Sequence, residues 1–190
     1  MLVGEIKRYQ GHLVRKHKAS QGQMDLVSLI TYLRCLIFID YKMKVLPCET
    51  KEAQAKIFGK RGKSLFGMVV MFQLPPNFTG EVPDGIDIDG DFAVAYFRGC
   101  ADDADQDFNH SVQCFEIGCK FIKQKYPWIT EAMLYSDGAG NFRSLSFEIL
   151  MAQRIAKVGI KVVCHLLPEA GDGKDRVDRD FAGVNKLFTS

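Results

Sequence analysis

No apolar run in the chain approaches the ~18 residues needed to cross a bilayer, and the first residues lack the apolar stretch of a signal peptide. A membrane-spanning or secreted protein is therefore not expected, and a nuclear or cytoplasmic one is. Close cysteine pairs are missing too. Cys35, Cys48, Cys100, Cys114, Cys119 and Cys164 are spread singly, which excludes zinc-site spacing and favours reduced thiols inside strands and helices. A phosphate loop is excluded as well: Gly62-Lys63-Ser64 ends like one, but Ile57 stands where the motif needs its first glycine, and a strand follows instead of a helix. Asp87-Ile88-Asp89-Gly90-Asp91 does not keep the order of a calcium loop and reads as a solvated loop. Net charge is only +2, too little to argue for nucleic acid alone.

With 190 residues, 47% of them hydrophobic and 25% charged, the chain reads as one globular domain with an arm. Its charges are unevenly placed. Lys7, Arg8, Arg15, Lys16 and Lys18 precede the first apolar helix face; Lys51, Lys56, Lys60, Arg61 and Lys63 form a second basic run; aspartates crowd residues 84 to 107.

Hydrophobic periodicity gives the element order. Residues 14 to 33 predict a helix with Leu26, Leu29, Ile30 and Leu33 on one face, its first half loosened by Gly22. Leu36-Ile37-Phe38-Ile39 predicts a strand buried on both faces, and it runs directly into Asp40. Strands follow at Phe66 to Leu74 and Phe92 to Phe97, joined by a turn-rich segment. A helix over 106–126 is stopped by Pro127. The strand Ala132-Met133-Leu134-Tyr135-Ser136 then leads into Asp137, and a helix with Leu145, Ile149, Ala152 and Ala156 inward ends at Gly159. A strand from Ile160 to Leu167 and a last helix over 175–188, with Val177, Phe181, Val184 and Phe188 as its core stripe, complete the chain. The fold class is α/β: a mixed sheet of three antiparallel and then two parallel strands, in the order 3-2-1-4-5, flanked by helices. The division is a basic arm and helix over 1–34 and a core over 35–190.

A carboxylate ending a buried strand must pair with a cation, stay protonated or hold a metal, because an unpaired buried charge costs several kcal/mol or roughly more. Lys42 and Lys44 offer Asp40 an ion pair. A second strand of the same design changes the balance, since Asp40 and Asp137 then project from the same edge of the sheet, where open α/β sheets place their sites. Two adjacent carboxylates repel, and Mg²⁺ or Mn²⁺ relieves that with hard oxygen ligands. Further acids follow the last strand. Glu169 and Asp178 suit a metal or its supporting shell, whereas Asp175 reads first as an acid at a helix start. His165, a lone histidine ending an apolar strand, reads first as structural.

Together these residues carry a resemblance. Asp40-x-x-Met43-Lys44-x-Leu46-Pro47, Phe58-Gly59-Lys60-Arg61-Gly62-x-Ser64, Ser136-Asp137-x-Ala139-Gly140 and Glu169-x-x-x-Gly173-Lys174-Asp175-x-x-Asp178-Arg179 resemble eukaryotic transposon-derived proteins. Their catalytic domain is RNase H-like, of the DDE transposase and integrase type, nearest the Kyakuja-Dileera-Zisupton group. The resemblance implies an RNase H-like catalytic core from residue 35 onward that cleaves or transfers DNA strands with two Mg²⁺ or Mn²⁺ ions. It implies Asp40 and Asp137 as the first two catalytic, metal-binding acids, and Glu169 or Asp178 as the third. Lys56, Lys60, Arg61, Lys63, Lys174 and Arg179 would hold the DNA backbone or serve as solvated charges. An RNase H or exonuclease is the alternative enzyme, and a non-catalytic nucleic-acid or protein-binding domain the alternative class. The chain lacks zinc-finger spacing, a helix-turn-helix and an inserted helical domain, so it reads as an isolated core, fragment or remnant. Its N-terminal helix offers a homodimer contact.

Overall fold

The computed structural model describes residues 2–45, 63–82, 85–101, 107–136, 140–168, 176–177 and 179–181. In chain order these form α1 (Leu2–Ser28), β1 (Arg34–Val45), β2 (Lys63–Phe72), β3 (Ile86–Asp89), β4 (Phe92–Ala101), α2 (Phe108–Lys125), β5 (Glu131–Ser136), α3 (Leu145–Val158) and β6 (Lys161–Leu166). A short helical stretch follows over 176–181, apart from residue 178.

The six strands make one mixed sheet in the order β3-β4-β2-β1-β5-β6. β1 pairs antiparallel with β2 and parallel with β5, and β5 pairs parallel with β6. β1 is central because Cys35 to Ile39 form an unbroken buried apolar run. Cys35, Ile37 and Ile39 enter one core with α2 and α3, while Leu36 and Phe38 enter a second core on the opposite face with α1 and the 176–181 stretch. Each large side chain so buried contributes about 1.5–3 kcal/mol, enough to fix the register of a strand whose slippage by one residue would exchange its two faces.

Four expectations from the sequence need correction. The sheet has a sixth strand: the acidic segment at 87–91 is the tip of the β3–β4 hairpin, with Asp87, Asp89 and Asp91 exposed. Gly22 does not loosen α1, which is continuous; a Cβ there would lie 3.2 Å from Leu166 Cδ2, so the small residue lets the helix approach the end of β6. That helix spans Leu2–Ser28 and not 14–33, so of the expected face only Leu26 lies on it; Leu26 and Ile30 are buried, but Leu29 and Leu33 are exposed. Finally, α3 buries Phe147, Met151 and Ile155, while Leu145, Ile149, Ala152 and Ala156 face solvent. The stripe carrying a phenylalanine and a methionine withdraws more apolar area than the one carrying two alanines. Both inner helices are capped as their sequences imply. Asp107 accepts from the His110 N–H and Ser144 from the Phe147 N–H, and Gly159 closes α3 at φ 83°.

Candidate functional site

The candidate site lies at the rim formed by the C-terminal ends of β5 and β6, the N-terminal ends of α2 and α3, and the middle of β1. That strand does not end at Asp40 as expected but continues along β2 to Val45 after its pairing with β5 stops at Ile39. Parallel registers fix how these ends meet: Ile39 pairs with Ser136, and Leu166 with Tyr135. Asp40 follows Ile39 and is half-buried on the Phe38 face of the sheet, its Oδ1 accepting the Tyr41 N–H at 2.7 Å. On the antiparallel side Asp40 pairs with Gly67 of β2. That glycine is required by packing. A Cβ on it would stand 2.5 Å from Phe181 Cζ and 2.7 Å from Val177 Cγ1, so the 176–181 stretch rests directly on the backbone beside Asp40.

Asp137, Glu169 and Asp178 lie outside the described residues, as do Asp175, Lys174, Lys56, Lys60 and Arg61 and the side chains of Lys42 and Lys44. Val184 and Phe188 lie outside them too. The structure brings the neighbours of two of these acids to Asp40: Ser136, which precedes Asp137, and Val177, which precedes Asp178. Among the described residues no three His, Cys, Asp or Glu side chains gather to hold a metal ion. Asp40 itself offers the hard carboxylate oxygens that Mg²⁺ or Mn²⁺ takes.

Of the expected backbone-binding cations, Lys63 is exposed at the start of β2 and Arg179 is exposed in a cleft of about 650 Å³ between the β3–β4 hairpin and the 176–181 stretch. The cleft is charge-balanced. Arg98 makes a two-pronged pair with Asp180, and Arg176 pairs with Asp89 at 2.5 Å.

Sequence reasoning missed two polar groups at the rim. The first is on the opposite face from Asp40, where the Tyr41 hydroxyl meets His110 Nδ1 at 2.9 Å and the Tyr41 ring stacks on Phe142. Burial holds the Tyr41 phenol well above its ordinary range, so it stays protonated. Ser111 extends the group by donating to the Asp107 carbonyl at 2.8 Å and accepting from Asn141 Nδ2 at 3.3 Å. The position of Tyr41, one residue beyond Asp40, was the signal available in the sequence.

The second group is a chain of hydrogen bonds from Glu148 on α3 to His165 on β6 to Ser136 on β5. His165 Nδ1 lies 2.5 Å from Glu148 Oε1, and His165 Nε2 lies 2.8 Å from Ser136 Oγ. The carboxylate accepts from Nδ1–H, so Nε2 keeps its lone pair and Ser136 donates to it. Ser136 is fully buried, so its hydroxyl fixes the end of β5 and is not an exposed nucleophile. His165 is thus held at both nitrogens.

Burial pushes the His165 imidazole below its ordinary range, and Glu148 offsets this only in part. The folded state therefore binds its proton less readily than the unfolded state. The stability due to neutral His165 is complete above the unfolded value of about 6.5 and is lost as pH falls below it. Urea midpoints measured from pH 8 to pH 5 should decline below that value, and His165→Gln should flatten this part of the profile. An identical pH slope in the variant would refute the assignment.

The described residues include no helix long and apolar enough to cross a membrane. Cys35, Cys114, Cys119 and Cys164 are free thiols, and burial raises Cys35 to about 12, which leaves it unreactive. No family model, no curated protein and no solved structure matches the chain.

Proposed function

We propose that this chain is an RNase H-like core that cleaves or transfers DNA strands with Mg²⁺ or Mn²⁺. Asp40 and Asp137 would hold the metal, and Glu169 or Asp178 would complete its ligands. One observation carries most of the support: β1 and β5 lie side by side and parallel, and their register runs to Ile39 and Ser136, the residues directly before Asp40 and Asp137. The run β4-β2-β1-β5-β6 within the sheet also agrees with the strand order expected of such a core. When bound, a pair of these ions stabilises the attacking and leaving oxygens of a phosphoryl displacement.

The protein's own contribution is placement. Asp40 is fixed at its backbone by pairing with Gly67 and at its carboxylate by the Tyr41 N–H. Buried neighbours on both faces of β1 keep that end rigid, as a site on a scaffold strand requires. Lys63 and Arg179 would contact the DNA backbone, which adds affinity without sequence choice.

Incubating the protein with supercoiled plasmid and Mn²⁺ tests the reading. Nicked circles should accumulate, chelation should stop them, and Asp40→Ala should abolish them with thermal unfolding unchanged. Nicking by Asp40→Ala at the wild-type rate would overturn the metal assignment. An RNA–DNA hybrid beside the plasmid separates a transposase-like activity from an RNase H.

A further inference from the structure

We infer that a groove formed by Arg15, Lys18, Arg143 and the end of β6 binds the phosphodiester backbone of nucleic acid as it enters the rim. The inference takes its substrate class from the proposed nuclease reading, but the groove's charge stands apart from any catalysis. Three segments build it. Arg15 and Lys18 are three residues apart on α1 and so project from adjacent turns; Arg143 comes from the turn before α3; Leu166, Leu167 and Pro168 line it with apolar surface. All three cations are exposed, and among the described residues the groove, of about 350 Å³, is lined by no carboxylate.

Convergence distinguishes this patch from an ordinary solvated face. Arg143 lies more than a hundred positions from Arg15, and both line one groove where α1, at Gly22, comes down on Leu166. Cations around a concave apolar wall focus their field into the groove and attract a polyanion more strongly than the same charges spread on a convex surface. Guanidinium groups also suit phosphate, through paired N–H donors. The groove ends at Pro168, the residue before Glu169, so a strand held there lies at the mouth of the candidate site.

A second basic surface, at the opposite end of the parallel strands, supplies the contrast. Lys120, Lys123 and Lys157 line it from α2 and the end of α3, and it stands far from the rim where the pairing of β1 with β5 ends.

The test is equilibrium binding of a fluorescent DNA duplex in EDTA, so that loss of catalysis cannot be mistaken for loss of binding. The triple variant Arg15→Gln, Lys18→Gln, Arg143→Gln should bind at least about tenfold more weakly, and the slope of log K against log salt should fall by up to about three. A control of equal charge, Lys125→Gln, Lys157→Gln, Lys161→Gln, should bind as wild type does. An unchanged Kd in the groove variant would overturn the proposal. So would an equal loss in the control, or a loss confined to phosphatidylserine vesicles with duplex binding intact. Melting curves that match wild type confirm that the exposed substitutions leave the fold in place. Should Asp40→Ala still nick plasmid while the groove variant loses duplex binding, the catalytic reading falls and the groove stands.

Discussion

Phe147→Ala should cost about 3–5 kcal/mol in urea unfolding, whereas Leu145→Ala, two residues away on the same helix, should stay within roughly 0.5 kcal/mol. Phe147 is fully buried, meets the Phe142 ring edge-on at 5.6 Å and lies against His165 at 5.9 Å. Its removal opens a cavity between α3 and the ends of β5 and β6, and the buried Met151 and Ile155 further along α3 hold the helix against collapsing into it. Leu145 is 74% exposed, so little is lost with it. A loss of this size is a large part of the roughly 5–15 kcal/mol that a domain commands, so the Phe147 variant should also be the easier of the two to cleave by protease. Equal costs at the two positions would mean that the helix is turned the other way, with the stripe of Leu145, Ile149, Ala152 and Ala156 inward.

That contrast shows where the sequence was readable. β1 and β5 could be read because strands buried on both faces need continuous apolar runs, and Leu36-Ile37-Phe38-Ile39 and Ala132-Met133-Leu134-Tyr135 are such runs. Their parallel pairing was an inference conditional on β1 bordering β5, which the sheet order meets. α3 was ambiguous because apolar residues occur on two of its faces, and periodicity weighs a leucine and a phenylalanine alike while packing does not. The alternation Ile86-Asp87-Ile88-Asp89 is a strand pattern, but its aspartates and the adjoining glycine made it look like a loop. At the rim, Asp40 was legible because a charge at the end of an apolar run is anomalous. The contact between Tyr41 and His110 and the chain from Glu148 to Ser136 were not legible, since each joins side chains whose nearness depends on how two helices settle on the sheet. The groove of Arg15, Lys18 and Arg143 escaped for the same reason.

Gly67→Val should lift the 176–181 stretch off the sheet, and the sign of a milder change, Gly67→Ala, tests the same contact. In a strand with open space above it, alanine or valine in place of glycine would be stabilising by roughly 0.5–1 kcal/mol, because glycine pays the larger backbone entropy and packs nothing. Here a Cβ would fall 2.5–2.8 Å from Phe181 and Val177, both buried, and overpacking of that kind costs about 1–3 kcal/mol. Destabilisation should therefore win for alanine and grow for valine. The Arg98–Asp180 and Arg176–Asp89 pairs cannot hold the stretch down unaided, since partly exposed ion pairs contribute only about 0.2–1 kcal/mol each, against about 1.5–3 for each buried apolar side chain. Amide exchange over 176–181 should accelerate in both variants while β1 and β5 stay protected. Phe181→Ala should relieve much of the penalty in the alanine variant, a coupling that a double-mutant cycle measures directly. A stabilised Gly67→Ala would mean that nothing rests on Gly67. Asp178 directly follows Val177, so on the proposed reading Gly67→Val must also depress Mn²⁺-dependent nicking without touching Asp40. Full nicking by a variant whose 176–181 amides exchange freely would leave Glu169 as the third acid.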